Sequence, residues 1–232
     1  MIRELTEMNI SDLYIRTIGD LEQAVEELGF LPYFTNSIPG FSIEEHVDPM
    51  VWFGDAPGTW EWKGPVINDL GCAYGKFFER KAVYISKDWF CDFANYRRDG
   101  YDFDARYEDG LAPYGDKTLY ELVEANSPVL SRRLKALGDY RKGGNKGFDT
   151  RITRLQSQGY VLISDFVYMV DKNGNEYGWG VAEYSTPEHF LGASFAEHVY
   201  EREPRESYER IREHLHRILP DASDQAIRRI LK

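Results

Sequence analysis

Cysteine is nearly absent from this sequence: the 232 residues hold two, Cys72 and Cys91. Neither belongs to a CxxC pair and no cluster of histidines stands near them, so a zinc site is excluded and two buried free thiols are expected. Long apolar runs are also missing. Nothing approaches the ~20 residues that cross a bilayer, and the opening MIRELTEMNI has neither the positive start nor the apolar run of a signal peptide. The expectation is a cytoplasmic chain without membrane contact. Positive charge is scarce as well, with 28 Lys and Arg against 39 Asp and Glu and a net charge of −11, which argues against a general affinity for polyanions. A hydrophobic share of 42% with 15% aromatics excludes a disordered chain.

Because basic residues are few, their placement is informative. Between Ser131 and Arg154 stand Arg132, Arg133, Lys135, Arg141, Lys142, Lys146, Arg151 and Arg154, against only Asp139 and Asp149. That segment carries +6 and leaves −17 for everything else. One face is singled out for a polyanion.

Along the chain, residues 20–29 have the helical period, with Asp20 as the expected cap, Leu21, Ala24, Val25 and Leu28 on one face, and Gly29 at the end. FLPYFTNSIPGFSIEEHVDPMVWFGDAPGTW follows, four prolines among many aromatics, and predicts an irregular segment held by ring burial. KAVYIS alternates as a strand, a helix is expected from Lys87 to about Tyr96, and GYDFDARYEDGLAPYG reads as a turn-rich loop. The second half is more regular. Leu119, Leu122 and Val123 mark one helix, Ser131, Leu134 and Leu137 a second, and Phe148, Ile152 and Leu155 a third that ends at Gly159. YVLISDFVYMV and EYGWGVAEY are then two extended runs joined by DKNGN, whose Asn173–Gly174 pair favours a hairpin. Three helices and a hairpin is the order of a winged helix-turn-helix.

The expected fold is therefore α+β, with two winged-helix-like lobes: residues 1–113 including the aromatic segment, and a winged-helix domain at 114–190. Residues 191–232 add an amphipathic helix carrying Tyr208, Ile211, Leu215, Ile218 and Leu219, a break at Pro220, and a last short helix capped by Ser223.

With Phe148, Ile152 and Leu155 inward, the third helix turns Thr150, Thr153, Arg154 and Ser157 outward, flanked by Arg151 and Gln158. Such side chains reach phosphates and base edges. The preceding KGGNKG would bring backbone N–H groups, Lys142 and Lys146 to a phosphate. Arg132 and Arg133 on the second helix, and Lys172 and Asn173 at the hairpin tip, complete the expected nucleic-acid set. A solvated basic loop before a packing helix is the alternative. Within LQSQ, Gln156 and Gln158 cannot face one ligand together, and Gln158 is the expected reader.

Other polar sets carry less chemistry. Asp55, Glu61 and Lys63 resemble a carboxylate and lysine set for Mg²⁺, yet the tryptophans beside Glu61 favour a buried strand with outward charges. Asp99, Asp102, Asp104, Glu108 and Asp109 are interleaved with Arg97, Arg98 and Arg106, which favours a salt-bridged loop over a cation site. No metal and no cofactor are expected. His46, with Glu45 beside it, is a candidate acid or base, the alternative being a structural histidine.

ELGFLPYF…EEHVD, WEWKG, RRDGYDFDARYEDGLAP and the helix–helix–hairpin of residues 117–186 give the chain a resemblance to the AlkZ/YcaQ type of winged-helix DNA glycosylases, and more closely to the AlkZ-related proteins. That resemblance implies tandem winged helices with a concave basic surface on DNA, and metal-free excision of alkylated or cross-linked bases. It also implies a catalytic glutamine followed two residues later by glutamine or aspartate. The matching place here reads Leu31-Pro32-Tyr33-Phe34, without amide or carboxylate. The expected function is a DNA-binding protein related to DNA repair glycosylases that holds duplex or damaged DNA. Two alternatives remain: an active glycosylase with a rearranged site at Glu45 and His46, and a protein-interaction module whose acidic first lobe meets a basic partner.

Overall fold

A computed structural model describes residues 8–54, 56–174 and 176–232. Residues 1–7, Asp55 of the carboxylate and lysine set, and Asn175 of the hairpin turn lie outside the described residues. After a 3-10 turn at Ile10–Asp12 comes α1 (Ile18–Leu28), which buries Leu21, Ala24, Val25 and Leu28. Thr17 caps it, and Asp20, expected as the cap, stands inside the first turn. Its N–H donates to Thr17 Oγ1 at 3.1 Å and its carboxylate accepts the Thr17 N–H at 2.9 Å, so the two satisfy each other. Gly29 closes the helix at φ 71, in the left-handed region that a side chain would resist.

The aromatic segment is less irregular than expected. It contains β1 (Phe30–Pro32), α2 (Ile43–His46) and α3 (Pro49–Phe53), and ring burial does hold it: Tyr33 lies 5.3 Å from Trp52 and 5.3 Å from Trp60, centroid to centroid. Trp60, Glu61 and Trp62 form a turn into α4 (Lys63–Leu70) instead of the expected strand, with the Trp62 N–H on Gly58 O at 3.0 Å. Next come β2 (Ala73–Phe78), β3 (Lys81–Ile85) and α5 (Lys87–Arg98). Where a loop was expected, Asp102 accepts the Ala105 N–H at 2.8 Å and starts α6 (Phe103–Glu108).

The second half follows as α7 (Tyr114–Asn126), β4 (Val129–Leu130), α8 (Ser131–Leu137), α9 (Phe148–Ser157), β5 (Leu162–Val170) and β6 (Glu176–Ser185). The three inward residues of α9 are buried, as are Leu119, Val123 and Leu134, but Leu137 is 46% exposed. In the turn between β5 and β6 Gly174 takes a positive φ, 87, and Asn173 donates its N–H to Asp171 Oδ1 at 2.7 Å. The chain ends in α10 (Pro187–Phe190), α11 (Ala193–His198), α12 (Pro204–Ile218) and α13 (Asp224–Ile230), the first two unforeseen.

One six-stranded antiparallel sheet, in the order β1-β3-β2-β5-β6-β4, draws strands from both sides of residue 113. Its central junction sets Tyr74 of β2 opposite Ile163 of β5. Helix and sheet are thus mixed in a single α+β framework. Arg98, 1% exposed, ties α5 to it: Nη2 donates to Gly159 O at 2.8 Å, just past α9, and Nη1 meets Glu188 Oε1 at 2.6 Å. On the other side of α5, Asp92 accepts Ser207 Oγ at 2.8 Å and Arg210 Nε at 3.0 Å, which anchors α12. Both cysteines are free; Cys72 is buried and Cys91 only half-buried. Among the described residues no helix is long and apolar enough to cross a membrane.

Candidate nucleic-acid interface

α9 begins after Gly147, at φ 83, and its apolar side fills the core. Gln156 goes inward too, contrary to a surface reading of LQSQ. It is fully buried, accepts the Lys76 N–H through Oε1 at 3.1 Å, and donates Nε2 to Ile152 O at 3.2 Å. This amide fastens α9 to β2. Gln158, the expected reader, is half-buried.

The outward side of α9 presents Thr150, Thr153, Arg154 and Ser157, and together with Arg80 they line a hollow of about 290 Å³. Sequence reasoning missed Arg80, because it arrives from the turn between β2 and β3. Arg154 is not free: its Nε lies 3.0 Å from Asp116 Oδ2 on α7, and the Asp116 side chain is 2% exposed. Burial pushes the Asp116 carboxyl above its usual range, opposed by the charges of Arg154 and Arg151. Arg151 is held as well. Its Nη1 donates to the Tyr140 hydroxyl at 3.0 Å, and its guanidinium lies so close to Gly115 that a Cβ there would approach Cζ to 2.4 Å.

The remaining basic residues are displayed differently. Lys142 and Lys146 are exposed in the loop before α9, as are Arg132 and Arg133 on α8 and Lys172 and Asn173 at the hairpin tip. Among the described residues Arg133, Lys142, Lys146 and Lys172 have no ion pair, whereas Arg132 Nη1 rests on Met169 Sδ at 3.0 Å. The loop itself is folded back by Asn145, whose N–H donates to Asp139 O at 2.7 Å and whose Nδ2 donates to Gly138 O at 2.9 Å.

Glu45 and His46 are both occupied by their own segment. Glu45 accepts the Gly40 N–H at 2.8 Å and the Ser42 hydroxyl at 2.6 Å, while the two ring nitrogens of His46 lie 3.1 Å from Leu13 O and 2.7 Å from Gly40 O. The carboxylates around α6 are not the interleaved network expected: Asp102 is a cap, Asp104 meets Lys117 at 2.8 Å, and Arg106 Nη1 donates to Arg98 O at 3.2 Å. Among the described residues no three metal-ligating side chains converge.

Lys63, expected only as the lysine of the Asp55, Glu61 and Lys63 set, has surroundings that its sequence does not announce. Its Nζ lies 4.3 Å from the Phe166 ring centre and 5.0 Å from that of Trp60. Burial pushes the amine down to about 8, with Glu61 opposing the shift. The only foretaste is WEWKG, a lysine between rings. Close packing of α4 on β5 depends on Gly64, where a Cβ would come within 2.5 Å of Asp165 Oδ1.

The model of a family described as AlkZ related matches residues 15–232. No curated protein and no solved structure matches the chain. With the family match running from before α1 to the last residue, the chain belongs to the AlkZ-related family.

Proposed function

We propose that this protein is a winged-helix DNA-binding protein related to DNA repair glycosylases, and that it holds duplex or damaged DNA. The contact surface is α9, the loop before it and the tip of the β5–β6 hairpin. One observation carries the reading: α7, β4, α8, α9 and the hairpin follow in order, with β4 paired back on β6 at Val129 and Tyr184. In that arrangement α9 takes the place of the helix that helix-turn-helix proteins lay in the major groove. The exposed Lys142, Lys146 and Lys172 then supply phosphate contacts beside it. The acidic remainder of the chain confines binding to that face.

The catalytic alternative at Glu45 and His46 has less support, because the polar atoms of both are committed to local backbone and to Ser42. The test is a salt titration of duplex binding with a K142E/K146E variant, whose two sites are exposed and unpaired. Affinity should fall at least about tenfold at low salt, and the slope of log K against log salt should flatten by about 2. A variant with the parent's affinity and slope would sink the reading.

A further inference from the structure

Across the hollow, α9 and the β2–β3 turn set two guanidinium groups and three hydroxyls around one space, and no carboxylate lines it. We propose that this hollow seats a phosphate monoester, carried either by the end of a DNA strand or by a free nucleotide. The strand-end form rests on the DNA-binding reading above; the nucleotide form does not.

Arg80 is presented by backbone geometry. Glu79 and Arg80 have φ 48 and 61, two successive non-glycine residues in the left-handed region, as a tight turn between antiparallel strands requires. The Glu79 carboxylate is turned away, to the Ser37 N–H at 3.3 Å and Arg229 Nε at 3.4 Å. Among the described residues Arg80 has neither a hydrogen bond nor an ion pair, so its planar fork is available. Opposite, Arg154 Nε forms an ion pair with Asp116 Oδ2 at 3.0 Å without a hydrogen bond, and the two Nη groups are likewise left without one among the described residues. Asp116 thus orients the guanidinium from behind and is not part of the lining. The distance between the two walls is set by the Gln156 amide on Lys76, and Arg97 Nε fixes the last turn of α9 through Ser157 O at 2.6 Å. The backbone that carries both arginines is thus placed before an anion arrives, which limits the freedom lost on binding.

Charge and size favour a monoester over a backbone diester. A terminal phosphate carries close to two negative charges at neutral pH and a diester carries one; Arg80 meets the first with an unshared guanidinium, and Arg154, whose charge Asp116 shares, meets the second through its two Nη groups. The hollow of about 290 Å³ is at the small end of ligand sites, with room for one nucleotide. The two guanidiniums and the hydroxyls of Thr150 and Thr153 can donate to the three acceptor oxygens of the phosphate, while the Ser157 hydroxyl donates to Arg154 O at 3.0 Å.

The experiment compares three ligands by anisotropy and competition: a gapped duplex with a 5′-phosphate at the gap, the same duplex with a 5′-hydroxyl, and adenosine monophosphate. The parent protein should prefer the phosphorylated gap about tenfold, and R80A should lose that preference. R80K, which keeps the charge without the fork, should retain part of it. Binding of adenosine monophosphate that R80A abolishes, with both gapped duplexes bound alike, assigns the seat to free nucleotides. Binding of adenosine monophosphate by a protein that binds no duplex sinks the DNA-binding reading and keeps the seat. A parent protein that neither distinguishes the two gaps nor binds the nucleotide overturns the proposal, whatever its affinity for DNA. R80A that weakens both duplexes equally also overturns it, since Arg80 is then an ordinary backbone contact.

Discussion

Strand β2 has a cationic site on each side, and the two treat charge in opposite ways. A Cβ on Gly75 would lie 3.2 Å from Gln156 Oε1, toward α9 and its hollow. Tyr74 is next along the strand, so it is turned to the other face, where its ring is 5.6 Å from Phe166, a wall of the Lys63 cage. On the α9 side the guanidiniums of Arg80 and Arg154 stand among hydroxyls, and among the described residues only Asp116, paired with Arg154, draws on their charge. On the other side Lys63 has rings for neighbours and, among the described residues, no hydrogen bond or ion pair. The two sides differ in what surrounds the cation, not in having one. Displayed charge is available for an anion, whereas caged charge costs stability unless a proton is given up.

The largest effect should follow from removing the cation on which a buried carboxylate depends. In R154M, Asp116 keeps its place with its side chain 2% exposed and loses its ion pair, which should destabilise the protein by about 2–4 kcal/mol at pH 7. In D116N the stranded partner is Arg154, 42% exposed and still in reach of water, so the loss should be nearer about 1 kcal/mol. Urea denaturation of both variants measures the difference. The sign with pH is fixed by the direction of the Asp116 shift. A carboxyl raised by burial binds its proton more readily folded than unfolded, so the folded state loses stability as pH rises through and above the ordinary carboxylate range. Without Arg154 the shift is larger, and the R154M deficit should shrink as pH falls toward 4. Equal losses in the two variants, or a deficit indifferent to pH, would break the contrast drawn between the sides of β2.

How much of this was legible in the sequence differs between the same two sides. Phe148, Ile152 and Leu155 recur at the helical period, so the face shared by Thr150, Thr153, Arg154 and Ser157 follows from spacing alone. The hairpin follows from Gly174. Arg80 carries no such signal, because it meets α9 only through the β2–β3 turn and the Gln156 contact, both products of tertiary pairing. Gln156 itself went unread, since a buried glutamine and a surface one have the same periodicity until a partner backbone is known. In the first half, β1 is only three residues long and ends in Pro32, and the rings of Tyr33, Trp52 and Trp60 obscure any period. Asp102 and Ala105 could have announced α6, but the glycines and aspartates around them also spell a turn.

The smaller effect belongs to Lys63, and its dependence on pH is what separates a caged amine from a displayed one. The fall from 10.5 to about 8 comes from burial, so between those limits the unfolded chain binds a proton that the folded chain has released. Stability from this residue therefore rises with pH across that window, and below about pH 8 the full penalty of the caged charge is present. By linkage the penalty would approach about 3 kcal/mol, and partial exposure of the side chain reduces it to about 1 kcal/mol. K63M keeps the stem against the rings of Trp60 and Phe166 and removes the charge. It should be more stable than the parent by that amount at pH 7, with the advantage gone by pH 10.5, where the lysine is neutral when folded and close to half neutral when unfolded. R80M is the control on the other side of β2, and its stability relative to the parent should be flat over the same range, because the charge it removes is displayed to solvent and carries no burial penalty. A K63M advantage that persists unchanged to pH 10.5 would mean that the methionine merely packs better. The lysine would then be an amine whose charge the rings accept without cost through cation–π attraction.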